Sequence, residues 1–191
     1  MAHGQATQII RAESPAARVG ISHLYLHAMP ASSSEPDRRA AAKLDGFFNR
    51  WFLDPLYRGE YPVDVIVDHQ RAGHLSGDGL PFLMPGDMAL ISTPTTLLGV
   101  NYYTRGIARS DEVTEEENAP RTIAEPAVES LTDMGWEIYP DGLRAALSRC
   151  HRDYRPEYID VTENGCAFDT PPDADGVVDD QGRIGYLRGR L

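Results

Sequence analysis

Apolar residues recur in this chain with two periods, one typical of helices and one typical of buried strands. Helices are predicted where apolar residues return every three or four positions, and strands where short apolar runs are bounded by breakers. The predicted helices cover 2–13, from Glu35 to the break at Asp54-Pro55, from Pro140 to before Pro156, and 179–191. The predicted strands cover 18–22 with an extension towards Tyr25, 97–103 and 157–163. Helix and strand alternate, which indicates a parallel sheet with helical crossovers.

Two of these helices carry apolar stripes with a predicted role in the core. In the second helix, Leu44, Phe47, Phe48, Trp51 and Phe52 recur at helical spacing. Core packing is the preferred interpretation of this stripe, ahead of a ligand-binding set of aromatics. Cys150 lies on the stripe of the third helix and is predicted to be a small core residue.

The strand pattern favours one architecture over its alternatives. Three strands that end in polar residues are typical of part of a (β/α)₈ barrel, whose chemistry lies at the carboxyl ends of the strands. The fold class is therefore α/β, a partial TIM barrel of about three βα units, incomplete and not closed. One partial domain over 1–191 is expected, with a long acidic loop at 104–131. No GxGxxG or GxxxxGK[ST] motif supports a phosphate-binding member of the class.

The net charge of -11 comes from two segments of the chain. Residues 110–129 hold seven acids and one base, and residues 169–180 hold five acids and no base. Solvated loops are the simplest interpretation, and an acidic cation site is the alternative. An acidic chain repels phosphate backbones, so no nucleic-acid partner is expected.

Membrane, metal and cofactor functions find no support in the sequence. No apolar run approaches the roughly 18 residues of a membrane helix, and the first residues lack the apolar region of a secretory signal. Cys150 and Cys166 are expected to be free thiols in a reducing compartment, which favours a cytoplasmic protein. Asp68, His69 and His74 are close in sequence, but i, i+5 is a poor ligand spacing on a helix. Neither a metal nor another cofactor is predicted.

Polar groups at two strand ends are the candidates for chemistry. Strict alternation places Asn101 and Tyr103 on one face, and Ile159, Val161 and Glu163 on one face of the last strand. A carboxylate at the end of a buried strand is costly unless it is hydrogen-bonded, and the tyrosine and asparagine are suitable partners. The alternative is a strand-terminal glutamate that simply reaches solvent.

Several segments of the chain resemble one enzyme family. The motif VTENG at 161–165 resembles the nucleophile motif of glycoside hydrolase family 1, the β-glucosidase family. LGVNYYTR at 98–105 is similar to the family's sixth barrel strand, and TDMGWEIYPDGL at 132–143 to the segment before its seventh. Two helical segments also resemble the family, DGFFNRWFLDPLYRGEYP at 45–62 and RIGYLRGRL at 183–191. The motifs occur in family order across nearly the whole chain.

The resemblance implies a retaining β-glucosidase that acts on a β-glucoside or oligosaccharide. Such enzymes use two carboxylates about 5 Å apart, one as nucleophile and one as acid and base. Glu163 matches the nucleophile, Tyr103 the tyrosine that orients it, and Asn101 an asparagine that lines the same site. Trp136 matches the tryptophan near the aglycone, although a packed loop anchor is an equal alternative for this residue.

The chain also departs from the family pattern. The acid/base glutamate of the family lies in an Asn-Glu-Pro motif, which does not occur here. The resemblance begins after the family's fourth strand and stops after its seventh. A fragment with little or no activity alone is therefore expected, with a complementary barrel fragment as a further partner. The alternatives are a non-catalytic remnant that binds sugar or a partner, and a carbohydrate-binding module that uses Trp136 and Tyr103.

Overall fold

The computed structural model of the chain describes residues 1–77, 79–112 and 131–189. The helices are α1 Ala2–Glu13, α2 Glu35–Asp45, α3 Trp51–Tyr57, α4 Val63–Arg71, α5 Asp87–Ile91, α6 Pro140–Tyr154 and α7 Gln181–Arg188, with a π-helical turn Gly46–Arg50 between α2 and α3. The strands are β1 Gly20–Leu24, β2 His27–Pro30, β3 Leu97–Asn101, β4 Arg105–Ala108 and β5 Tyr158–Glu163. Within these ranges, no helix is long and apolar enough to cross a membrane.

The main sheet is parallel and has the order β1-β3-β5. Its strands are those that the apolar runs predict, and helices cross over between them. β3 is central, so Leu98 and Val100 are 0% and 1% exposed. The sheet does not close on itself, and the predicted partial barrel is confirmed.

The core lies between one face of this sheet and the helices α3 and α6. Leu53 of α3 and Ala146 and Cys150 of α6 pack against the buried residues of β3 and are fully buried. Burial raises the pKa of the Cys150 thiol to about 12, so this thiol is neutral and unreactive. The prediction of Cys150 as a core residue is confirmed.

The predicted burial of the aromatic stripe in the second helix is wrong. Phe47 and Phe52 are 58% and 54% exposed, whereas Asn49 and Leu53 are buried. The physical reason is the π-helical turn, which inserts one residue into the helical repeat and changes which positions face the core. The helix also continues past the predicted break, because α3 includes Pro55.

A second, two-stranded sheet lies beyond the ends of β1 and β3. β2 and β4 pair in parallel over four positions, from His27–Arg105 to Pro30–Ala108. β4 falls in the segment where a loop is predicted, and the sequence pattern indicates neither strand. Residues 113–130 of the predicted acidic loop lie outside the described residues.

A polar network joins α6 to the π-helical turn and the sheet. Arg149 donates to both carboxylate oxygens of Asp45, at 2.8 Å to Oδ2, and to the Tyr25 hydroxyl at 3.2 Å. Asn49 donates to Asp45 at 2.8 Å and exchanges two hydrogen bonds with the backbone of Leu26. Burial opposes ionisation of Asp45, but the hydrogen bonds from Arg149 and Asn49 outweigh it and lower the pKa of this carboxyl.

We expect Arg149→Ala to reduce the free energy of unfolding by about 2 kcal/mol, because it leaves a largely buried Asp45 with Arg50 as its remaining cation. Arg144→Ala, on the same helix, removes an exposed pair with Asp141 and should cost below about 0.5 kcal/mol. Urea unfolding followed by circular dichroism measures both. Equal losses for the two variants would contradict a stabilising role for the buried network.

Candidate functional site

The candidate site lies at the carboxyl ends of β3 and β5, where a tyrosine meets a carboxylate. The Tyr103 hydroxyl donates a hydrogen bond to Oε2 of Glu163. The strand pairing passes from Val100–Val161 directly to Asn101–Glu163, so Thr162 is an extra residue in β5. Such a bulge redirects the side chain that follows it. Glu163 therefore turns towards Tyr103.

Because of the bulge, Glu163 lies on a different face of β5 from the one that strict alternation predicts. Strict alternation places this residue with Ile159, but Ile159 packs against the core, whereas Glu163 is exposed and bonded to Tyr103. Asn101 lies opposite Glu163 in the pairing, and its Oδ1 accepts a hydrogen bond from the Thr162 hydroxyl at 2.6 Å. Asn101, Tyr103 and Glu163 thus come together at one end of the sheet.

Trp136 forms the aromatic side of the site. Its ring centroid lies 5.4 Å from that of Tyr103, at an interplanar angle of 53°. A tight turn places it, since the Trp136 amide donates to the Thr132 hydroxyl at 3.2 Å and the Thr132 amide donates to the Trp136 carbonyl at 2.8 Å. The next residue, Glu137, forms a two-pronged ion pair with Arg105 at 2.6 and 2.8 Å. The turn is thereby fixed to β4.

Two cavities flank the Tyr103–Trp136 pair. The larger, of ≈ 740 Å³, is lined by Glu163, the turn that follows it, and both aromatic rings. Among the described residues that line it, Glu163 is the only acidic one. The smaller, of ≈ 250 Å³, is lined mainly by apolar residues that include Leu24 and Phe48. This arrangement offers one carboxylate, a phenol donor and aromatic faces, which suits a polar ring with an apolar substituent.

The Tyr103–Glu163 hydrogen bond affects the titration of the tyrosine. The pKa of Tyr103 is raised, first by its hydrogen bond to the Glu163 carboxylate, then by burial, and then by the negative charges of Glu163 and of an ionised Tyr186. Ionisation of Tyr103 would break this bond and place two negative charges together. The hydroxyl is therefore protonated and a donor at neutral pH.

In the variant Glu163→Gln, the pKa of Tyr103 should fall, because the neutral amide no longer opposes formation of the phenolate. Glu157→Gln is the control, since Glu157 is exposed at the other end of β5 and its replacement should leave the pKa of Tyr103 unchanged. Titration of ¹³C-labelled tyrosine ring carbons by NMR reports the value. An unchanged pKa in Glu163→Gln would mean that the pair is absent in solution.

Comparison with known proteins assigns this chain to a family. The sequence model of glycosyl hydrolase family 1 matches residues 1–191. The chain belongs to this family. The resemblance that the motifs indicate is therefore confirmed for the whole sequence.

Two curated relatives of this family 1 chain are named as β-glucosidases. β-Glucosidase A from Thermotoga maritima is 34% identical over 194 residues, which are 100% of this chain and 40% of that protein. A β-glucosidase from Agrobacterium sp. is 32% identical over 192 residues, again 100% of this chain and 40% of that protein. The family 1 chain thus spans about two fifths of the length of these relatives.

Solved structures agree with this assignment. A β-glucosidase from Exiguobacterium marinum superimposes with a TM-score of 0.83 at 33% identity, over 99% of this chain and 41% of that one. The Thermotoga maritima β-glucosidase in complex with glucoimidazole gives a TM-score of 0.82 at 33% identity, over 99% of this chain and 40% of that one.

Two histidines that are close in the sequence are also close in the structure. α4 ends at Arg71, and the turn at Gly73, with φ 75°, brings Nδ1 of His69 and Nδ1 of His74 to 3.5 Å. In the described part of the family 1 chain, no group of three or more histidine, cysteine or acidic side chains is placed to hold a metal ion. Two imidazoles fall short of the ligand number of protein zinc sites.

Two residues next to the site have roles that the sequence does not reveal. Asn164 donates from Nδ2 to the Tyr102 carbonyl at 2.6 Å and to the Tyr186 hydroxyl at 3.2 Å. The Tyr186 hydroxyl donates in turn to the Tyr103 carbonyl at 3.4 Å. Asn164 belongs to the motif that also contains Glu163, which is a signal for it. Tyr186 lies in the segment 183–191, which also resembles the family, but that resemblance indicates no role for it.

Proposed function

We propose that this chain carries the nucleophile part of a retaining β-glucosidase site, which hydrolyses terminal β-D-glucosides through a glycosyl-enzyme on Glu163. The observation that carries the proposal is the hydrogen bond from Tyr103 to Glu163 at the carboxyl end of the sheet. Membership of the family and the β-glucosidase names of its relatives support the choice of reaction.

The proposed chemistry begins at the Glu163 carboxylate. It attacks the anomeric carbon of the sugar, the bond from this carbon to the leaving-group oxygen breaks, and a glycosyl ester forms. Water then cleaves the ester and regenerates the carboxylate. Tyr103 orients the attacking carboxylate through its hydroxyl, whose raised pKa keeps it a donor. Asn101, which lies opposite Glu163, is proposed to bind a sugar hydroxyl.

The proposed substrate occupies both cavities. The sugar lies in the larger cavity beside Glu163, and the aglycone extends past Trp136 towards the smaller, apolar one. An indole face suits the C–H groups of a sugar or an aromatic aglycone. The Thermotoga maritima relative has been solved with glucoimidazole and with castanospermine, which supports a sugar-sized ligand for this family.

We expect Trp136→Ala to weaken binding of an aryl β-glucoside about tenfold, because the aromatic wall between the two cavities is lost. Trp51→Phe is the matched control, because Trp51 packs against Tyr61 and His69, away from the site. Calorimetric titration measures both affinities. An unchanged affinity in Trp136→Ala would favour the alternative role of Trp136 as a packed loop anchor.

The proposal requires a proton donor from another segment. Glu163 is the only acidic residue among the described residues that line the larger cavity, and the sequence contains no Asn-Glu-Pro motif. We propose that a complementary barrel fragment supplies the second carboxylate and further sugar ligands. The 191-residue chain alone should therefore form the glycosyl-enzyme only with activated substrates.

Intact mass after incubation with a 2-deoxy-2-fluoro-β-glucoside that carries a good leaving group tests this function. The leaving group needs little acid assistance, and the fluorine slows hydrolysis of the ester. A one-sugar adduct on a peptide that contains Glu163 is the expected result. The absence of an adduct, under conditions that label the Thermotoga maritima relative, would favour the non-catalytic remnant.

A further inference from the structure

The Tyr103–Glu163 pair lies on an open face of the molecule. Glu163 is exposed, so packing around its side chain does not fix its direction. A hydrogen bond between two side chains keeps one geometry only when the backbones that carry them are held at a fixed separation. The backbone at the two strand ends is therefore where the geometry of the pair is determined.

The two strand ends are joined by hydrogen bonds on both sides of the pair. The Tyr102 amide donates to the Glu163 carbonyl at 2.9 Å, and Asn164 Nδ2 donates to the Tyr102 carbonyl at 2.6 Å. One hydroxyl completes this set, since Tyr186 accepts from Asn164 at 3.2 Å and donates to the Tyr103 carbonyl at 3.4 Å. The Tyr186 hydroxyl thus contacts the Tyr103 backbone and the residue after Glu163.

The position of Tyr186 explains why its hydroxyl is suited to this role. The residue belongs to α7, is 2% exposed, and lies far in sequence from Tyr103. A buried hydroxyl is costly unless it is hydrogen-bonded, and this one has a donor and an acceptor partner. A phenylalanine would fill the same space, so the hydroxyl acts on the strand ends rather than on the packing of α7.

We propose that Tyr186 is a positioning residue, whose hydroxyl joins Asn164 to the Tyr103 carbonyl and so holds the Tyr103 side chain against the Glu163 carboxylate. It does not touch the substrate. The proposal rests on the proposed function only in taking this pair to be the nucleophile and its partner. α7 thereby contributes to the site through Tyr103 and Asn164, which follow β3 and β5.

The test is Tyr186→Phe in the 191-residue chain, with two measurements. NMR titration of ¹³C-labelled tyrosines should show the pKa of Tyr103 falling towards its value in Glu163→Gln, because the pair separates. The negative charge of an ionised Tyr186 also raises the pKa of Tyr103, so the same fall is required in Asn164→Ala, which keeps the Tyr186 hydroxyl. The rate of labelling by the fluoroglucoside at saturation should fall about tenfold, with the half-saturating concentration unchanged. Tyr158→Phe, which removes an exposed hydroxyl at the start of β5, should change neither quantity.

Asn164→Ala is a second, independent variant, which removes the hydrogen bond between Asn164 and the Tyr186 hydroxyl. It tests the positioning role even if Tyr186→Phe does not fold. The double variant should match the more affected single variant, because both changes break one chain of hydrogen bonds. An unchanged Tyr103 pKa in Asn164→Ala overturns the positioning role. A fall in this pKa in Asn164→Ala, without any labelling of the original chain, supports the positioning role and rejects the nucleophile.

Discussion

Replacing Glu163 with glutamine is expected to abolish the covalent adduct with a 2-deoxy-2-fluoro-β-glucoside. An amide oxygen carries no negative charge and is a very poor nucleophile, so the labelling rate should fall at least ~10³-fold. The fold should remain intact, because Glu163 is exposed and its backbone carbonyl still accepts from the Tyr102 amide. Intact mass and circular dichroism measure the two effects separately.

The matched control for this experiment is Asp160→Asn. Asp160 is exposed on the same strand, three residues before Glu163, so its replacement also removes one negative charge from β5. It should leave the labelling rate within about twofold, because it is not adjacent to Tyr103. An adduct that persists in Glu163→Gln, or maps to another residue, would remove Glu163 from the proposed role.

The rate at which the isolated chain cleaves a β-glucoside is expected to depend steeply on the leaving group. Without a general acid, departure of an unactivated alkoxide should be slower by about 10²–10⁴, whereas a dinitrophenolate leaves without protonation. Values of kcat/KM for β-glucosides with leaving groups of graded pKa measure this dependence, because kcat/KM reports the step in which the leaving group departs. The physical reason is the lining of the larger cavity, in which Glu163 is the only acidic residue among those described.

Two additions make this second experiment decisive. Azide should accelerate turnover of the activated substrates, because an anionic nucleophile needs no base to attack the glycosyl ester. A complementary segment that carries the Asn-Glu-Pro motif should flatten the leaving-group dependence, because it provides the missing proton donor. A flat dependence of kcat/KM in the isolated chain would show that a proton donor already exists in it, because kcat/KM reports the step in which the leaving group departs.

The main sheet and its crossover helices are predictable from the sequence because their signals are local. An apolar run such as the one that forms β3 cannot be exposed cheaply, and Pro140 and Pro156 bracket α6. β2 and β4 escape prediction because each has four residues without clear alternation, and pairing between distant segments stabilises them. The predicted burial of the aromatic stripe is wrong because a π-helical turn leaves no mark in a 3.6-residue pattern.

The candidate site is also predictable only in part. Residue spacing alone leaves open that Glu163 simply reaches solvent, whereas the resemblance to family 1 indicates Glu163 together with Tyr103, Asn101 and Trp136. The structure brings these four residues together, and their roles stay predictions. The bulge at Thr162 could not be predicted, because it depends on the register between β3 and β5 rather than on either strand alone. The contacts of Tyr186 could not be predicted either, because their partners are distant in the sequence.

The small sheet formed by β2 and β4 limits where insertions and deletions are tolerated near the candidate site, in evolution or by design. The segments after β1 and β3 are paired residue by residue, so an insertion in one would break the register of the other. By contrast, an isolated bridge between Leu131 and Glu137 closes the turn that carries Trp136. An insertion in that turn disrupts fewer backbone hydrogen bonds. Variants designed to change the proposed glucoside binding should therefore alter the length of the Trp136 turn and keep the paired segments at fixed length.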